Sequence, residues 1–565
     1  MRRLLVGLAL ATAVAAETPD QRFCAIADDF LQGYLRLNPE AATTLGDHRY
    51  DGRWSDVSAA GLLESQQFQR QLLSRLKGLQ GSTLCPENTV DREILGQHLQ
   101  GQLWALRDLR EWQWNPLLYN PGPALFAIVA RDYAPLPERL ESLAQRLDAL
   151  PVYLAQARTQ LDNPPLLHTQ TAIQQNQGTI TFVQNDLELF LKDAPQLRPR
   201  LEAAQRVALE ALKEHGAWLE NHLLPRSHGD FRLGPVKYRR KLLYTLESSL
   251  TAEELSRRAQ LDLEQTHLEM ARVARPLYAR LLHSSAEGLP DAEVCRAVLN
   301  RLADDRPDSS NIVPLARQSL ERATEFVRQH KLVTLPVEPC QIIEMPEFNR
   351  GVAIAYCDSP GPLEKGGTTY YAIAPTPSDW GAQRAISFYR EYNHAMLDDL
   401  TVHEAMPGHF LQLMHANRFK APTRIRAVLQ SGTFVEGWAT YAEQVMAANQ
   451  YGGAEVRMQQ LKMRLRLILN ALLDQKVHMG NISEAEAVDW LMREGFQEEG
   501  EAAGKWKRAC LTSAQLSTYY LGNCEVNDLV TAYRKAHPTD SLQVVHDKIL
   551  SFGSPAPCYI ARLLK

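Results

Sequence analysis

The chain has 565 residues, 45% of them hydrophobic, and a formal charge of −5 at neutral pH. That is enough apolar material for a sizeable core. The absence of a basic run or stripe argues against a nucleic-acid partner, and the mild acidity otherwise indicates only solubility.

Met1-Arg2-Arg3 is a basic start, Leu4 to Ala15 an apolar run, and Ala13-Val14-Ala15-Ala16 a small-residue cleavage site. Residues 1–16 therefore read as a secretory signal peptide, whose loss removes Arg2 and Arg3 and takes the charge from −5 to −7. The apolar run falls short of the ~20 residues that span a bilayer. No cysteine stands at the cleavage site for lipid attachment, and no other stretch reads as a transmembrane segment. The expectation is a soluble periplasmic or secreted protein.

Apolar periodicity predicts helices over 58–80, 88–112, 137–162, 198–222, 251–283, 310–330, 388–406, 422–450, 453–479, 483–495 and 500–520. Thr251 with Glu254, and Ser483 with Glu486, have the spacing of capping boxes. Residues 332–375 differ. Short β-branched and aromatic runs broken by Gly and Pro predict a small sheet there. An edge strand beside a peptidase site would suit pairing with an extended peptide; the plainer alternative is a sheet that only covers the core. A soft boundary in the Gly-, Arg- and Lys-rich stretch 225–245 divides a helical lobe, 17–235, from a lobe, 236–565, that carries the sheet and the motifs below. Eight cysteines in an oxidising compartment predict disulfides. Cys340 with Cys357 would staple the sheet, and Cys24 with Cys85 and Cys510 with Cys524 are further candidates. Buried free thiols are the alternative.

The most informative stretch is His403-Glu404-Ala405-Met406-Pro407-Gly408-His409. Two imidazoles and a carboxylate are the raw material of a zinc hydrolase: nitrogen ligands and a carboxylate to activate water. The usual HExxH pattern puts its histidines four apart on one helix face. Here they are six apart, which rotates the second by about 240° on a regular helix. The metal reading therefore requires Pro407 and Gly408 to break the helix and return His409 toward His403. Glu436 lies among small and apolar residues in 432–443, where a carboxylate is costly unless paired or metal-bound. It is the candidate third ligand, and Glu443, two turns on and nearly on the same face, the candidate partner of a ligating histidine. Water fills the open position, and Glu404 is the candidate general base. The alternative is an ordinary solvated helix face, against which Glu436 and the Pro-Gly pair both weigh.

The segments TVHEAMPGHFLQ (401–412) and GTFVEGWATYAE (432–443) resemble the bacterial family called domain of unknown function 885, whose patterns are HEAxPGHHLQ and GFxEGWALYxE. The resemblance extends over nearly the whole mature chain. It includes NPEAATTLGDHRYDGRWSD (38–56), GDFRLG (229–234), YLGN after Gln515 and Tyr519, and VVHDKILSFGSPAP (544–557). It implies a mainly α, large helical zincin-like metallopeptidase fold with a small β-sheet near the active-site cleft, and no particular substrate. The family often has a second histidine directly after position 409; here that residue is Phe410.

Hydrolysis passes through a charged tetrahedral intermediate that needs hydrogen-bond donors. Tyr519 and His478, at positions that look characteristic of the family, are the candidates, with a packing tyrosine and a polar surface histidine as the alternatives. Gly522, three residues after Tyr519, would let a substrate backbone come close. Arg466 could hold a substrate carboxylate through its bidentate fork. There is no GxSxG elbow and no phosphate loop. The expected function is zinc-dependent cleavage of peptide bonds, in short peptides entering a cleft. Hydrolysis of another amide or ester, for example in cell-wall material, and a binding protein with a decayed metal site are the alternatives. Oligomeric state is left open.

Overall fold

The computed structural model describes residues 17–345, 354–364, 366–377 and 380–565; the leader 1–16 lies outside them. Among the described residues helices dominate, with three short strands between Gln341 and Ile373. Ser483 and Glu486 complete both bonds of a capping box. Thr251 also caps its helix, accepting from Glu254 N at 3.1 Å, but the Glu254 carboxylate turns to Arg257 instead of closing the box.

The N-terminal half builds two cores. One runs from Tyr119 to Leu223. The other unites Phe23, Phe30, Leu72 and Ile94 with Ile425 and Tyr559 from the far end of the chain. A fully buried ion pair fixes that second junction: Arg426 Nε lies 2.6 Å from Asp91 Oδ1, with both side chains at zero exposure.

The strands are β1 (Gln341–Glu344), β2 (Ala355–Asp358) and β3 (Tyr370–Ile373). β3 is central, parallel to β1 and antiparallel to β2. This order removes the expected Cys340–Cys357 bridge. An intervening strand separates their backbones by two inter-strand spacings, roughly 10 Å, beyond the ~7 Å reach of a disulfide. All eight cysteines are free, the other two expected pairs included.

Around the sheet, three periodic stretches are broken where side chains must be redirected. The expected helix 388–406 is two, Ala382–Glu391 and His394–Glu404, the second capped by Asn393. The expected helix 422–450 starts in earnest only at Gly432, giving Gly432–Ala448. The expected helix 500–520 ends at Leu511, and a new helix, Ser517–Ala536, follows. The central helix Gly453–Met479 is buried on nearly every side, as expected for a helix enclosed by others.

Helices Gly432–Ala448 and Ser517–Ala536 cross at two glycines. A Cβ on Gly437 would lie 2.5 Å from the Gly522 carbonyl carbon, and one on Gly522 would lie 2.2 Å from Thr433 O. Gly522 therefore serves a helix crossing, not the approach of a substrate. Because the obstacles are backbone atoms, Gly522→Ala must push the helices apart. We expect a loss of about 1–3 kcal/mol, the scale of core overpacking, read as a lower urea midpoint. An unchanged midpoint would show that the crossing is not tight.

Candidate metal centre

The first ligand helix ends at Glu404, and the second, His409–Asn417, begins five residues later. Between them the chain doubles back. Ala405 N and Met406 N both donate to Thr401 O, at 3.0 and 3.1 Å. The Met406–Pro407 peptide is cis, and Trp438 Nε1 donates to Pro407 O at 2.9 Å. Gly408 then passes so near the helix end that a Cβ would sit 1.8 Å from His403 O. Only glycine allows that approach. The expected break at Pro-Gly is thus present, and it turns His409 back onto His403.

His403 Nε2 lies 3.7 Å and His409 Nε2 3.6 Å from one oxygen, Glu436 Oε2. The two rings stand nearly perpendicular, with centroids 4.7 Å apart. One donor atom from each of the three residues falls within 4.8 Å of the others. Donors about 2.1 Å from a tetrahedral ion would stand somewhat closer to one another than that, so a small inward adjustment completes the site. The donor chemistry fits. Glu436 Oε2 is buried with no hydrogen-bond partner, which a cation between the three groups would supply.

Electrostatics agree. Burial pushes the Glu436 carboxyl up, but the two imidazoles beside it, His403 and His409, outweigh that and hold the group well below the usual carboxylate range. Glu443 Oε1 accepts from His403 Nδ1 at 2.6 Å, which turns Nε2 toward the centre and fixes the tautomer. His409 Nδ1 is buried and lacks such a partner. Phe410, where the family often has histidine, is fully buried in the core beside the sheet. Its side chain leaves the site rather than entering it.

Glu404 is nearly buried, and no described residue gives its carboxylate a hydrogen bond or ion pair. It faces a cavity of about 210 Å³ that His403, Thr440, Glu443, Arg466 and Tyr519 also line. Tyr519 Oη accepts from Arg508 Nη2 at 3.1 Å, leaving its own proton to donate. A larger groove of about 910 Å³, around Trp104 and Tyr244, contains none of these residues.

His478 and Arg466 lie differently from expectation. His478 is buried outside the cavity, stacked 5.6 Å from Tyr238. Its Nε2 approaches the Ala509 and Thr512 carbonyls at 2.9 and 2.7 Å, so it satisfies acceptors at a helix end. Arg466 does line the cavity, but its Nη2 donates to buried Glu391, with Glu501 at 3.7 Å. That nitrogen is already engaged by protein carboxylates.

Sequence reasoning missed Asp399, Lys505 and Arg508, which also line the cavity. Asp399 precedes His403 by one helical turn, so its spacing was available as a signal. Burial, then the charge of Glu443, pushes its carboxyl well above the usual range. Lys505 and Arg508 come from a distant helix, and only the fold brings them here.

The arrangement predicts that the purified protein binds one divalent ion. Glu436→Ala should abolish binding. Glu443→Gln, which leaves the ligands intact but weakens the orientation of His403, should lower affinity by about 10–100-fold in a chelator competition titration. Unchanged affinity in both variants would remove the centre from this position.

No curated protein matches the chain. Among solved structures, one from Shewanella oneidensis described as a "putative lipoprotein of unknown function" is 30% identical, with TM-score 0.82, covering 97% of this chain and 100% of that one. A second so-described lipoprotein, from Colwellia psychrerythraea, is 16% identical, with TM-score 0.79 and coverage of 97% and 99%; at that identity the likeness shows the fold alone. The family model described as bacterial protein of unknown function (DUF885) matches residues 39–564, and the chain belongs to that family.

Proposed function

We propose that this chain is an exported, zinc-dependent metallohydrolase of zincin-like type that cleaves peptide bonds in short peptides. The observation that carries the reading is one juxtaposition. A carboxylate with no partner among the described residues, Glu404, adjoins a His-His-Glu donor set and opens on the same small cavity as His403 and Tyr519. Two imidazoles and one carboxylate with an open fourth position suit catalytic zinc. Export is supported by the leader-like residues 1–16 and by the description of the 30%-identical relative as a "putative lipoprotein". Among the described residues no helix is long and apolar enough to cross a membrane.

His403, His409 and Glu436 would hold the ion, which when bound polarises the substrate carbonyl and acidifies the attacking water. Glu404 takes the proton from that water and returns it to the leaving amine. Tyr519 donates its hydroxyl proton to the developing oxyanion, while Arg508 keeps the phenol oriented. Glu443 holds the His403 ring in place. Ile354, Met396, Leu400, Met463 and Leu467 give the cavity an apolar wall that excludes water. The cavity is smaller than the roughly 300–1,000 Å³ of a typical ligand pocket, which favours a short substrate.

The test is incubation of the zinc-loaded protein with a mixture of short peptides, read by mass spectrometry. Glu404→Gln should keep the metal and lose at least about 10²-fold in turnover. Tyr519→Phe should also keep the metal and lower kcat by roughly 10–10³-fold. Cleavage by Glu404→Gln at the undiminished rate would contradict the role of the base. Cleavage of cell-wall amides but of no peptide would move the reading to a different amidase.

A further inference from the structure

Four cations and two anions meet where the central helix approaches helix Glu499–Leu511. Glu391 is shared by Lys462, at 2.7 Å, and by Arg466. Glu501 is shared by Lys505, at 3.4 Å, and by Arg466, at 3.7 Å. Arg508 has no carboxylate partner among the described residues; its Nη2 donates only to Gln515 Oε1, at 2.9 Å, and to Tyr519 Oη. The group thus carries two positive charges in excess, and the under-neutralised members, Lys505 and Arg508, both line the Glu404 cavity. Only 12% of the Lys505 side chain is exposed. A buried cation with half a counter-ion is costly. Burial pushes the Lys505 ammonium down to about 8, against the pull of Glu501 and with the push of Arg466 and Arg508.

The cavity thus has two chemically distinct parts. Glu404 and His403 belong to one, and the excess of positive charge to the other. Both line a single cavity of about 210 Å³, the room of roughly seven waters, so a substrate short enough to enter it meets both. An anionic group at one end of such a substrate would fall to the cations. We infer that Lys505 and Arg508 bind the free C-terminal carboxylate of the substrate, so that cleavage releases a short fragment from a peptide's carboxyl end. Arg508 supplies a planar pair of donors and Lys505 a point charge. Arg466, which also lines the cavity, is paired with Glu391 and lies 3.7 Å from Glu501. This inference rests on the peptidase reading above.

The experiment compares matched peptides with a free C-terminal carboxylate or a C-terminal amide, and a third set, amidated, with Asp or Glu at the last position. The zinc-loaded wild-type protein should cleave the free acid at least about 10²-fold better, in kcat/KM, than the amide, because the amide leaves the cationic end unmatched. Arg508→Ala and Lys505→Met should each collapse that ratio by about tenfold or more. The ratio is the readout because Arg508 also touches Tyr519, whose loss of orientation slows every substrate alike. Equal cleavage of acid and amide by the wild type would overturn the inference and leave the peptidase reading standing. Rescue of the amide by a terminal acidic side chain, to the rate of the free acid, would also overturn it, assigning the cations to a side chain instead. Cleavage of no peptide at all would overturn both.

Discussion

The centre depends on one close approach, that of Gly408 to the carbonyl of His403. A helix that ran on past Glu404 would carry His409 about 240° away from His403. Instead the chain reverses within four residues, and the second ligand helix starts from His409 itself. The reversal is held from outside by Trp438, whose indole donates to Pro407 O, and Trp438 lies on the helix that carries Glu436 and Glu443. The same helix therefore supplies a ligand, orients another and braces the turn between them. The Gly437–Gly522 crossing then fixes the helix of Tyr519 against it, so that the donor set, Glu404 and the Tyr519 phenol form one packed unit.

That unit concentrates charge where water is largely excluded. Asp399 and Glu443 are buried, and His403 and Glu436 are half-buried. Isolated carboxylates there would be unstable, since each loses its hydration. The structure answers by sharing: Glu436 between two imidazoles, Glu443 with one, and Asp399 kept toward its protonated form by burial and by its neighbour. Glu404 is the exception, a carboxylate with no partner among the described residues, open to the cavity. In the proposed reaction that freedom lets it take the proton of the attacking water.

Much of this could be read from the chain because it is local. Ligand type, the helix period and the incompatibility of Pro407 and Gly408 with a helix interior led to His403, His409, Glu436 and Glu443, and the small sheet was placed by its β-branched runs. What was not legible is non-local. Tyr519 was placed by motif, but Lys505 and Arg508 reach the cavity only through packing of distant helices. His478 has the composition of a donor, yet its ring closes the end of another helix. Arg466 has the right chemistry, but Glu391 and Glu501, which no local pattern links to it, already draw its Nη2. The strand order, with β3 between β1 and β2, separates Cys340 from Cys357 although each lies in the stretch correctly read as sheet. Phe410 was ambiguous in sequence because the direction of a side chain at a helix break cannot be deduced from spacing.

The most direct test of the account is anomalous diffraction at the zinc absorption edge from crystals of the metal-loaded protein. The account predicts one strong peak bounded by His403 Nε2, His409 Nε2 and Glu436 Oε2, at roughly 2.0–2.2 Å from each. A zinc peak on another set of side chains, or none between these three in protein shown to contain the metal, would contradict it.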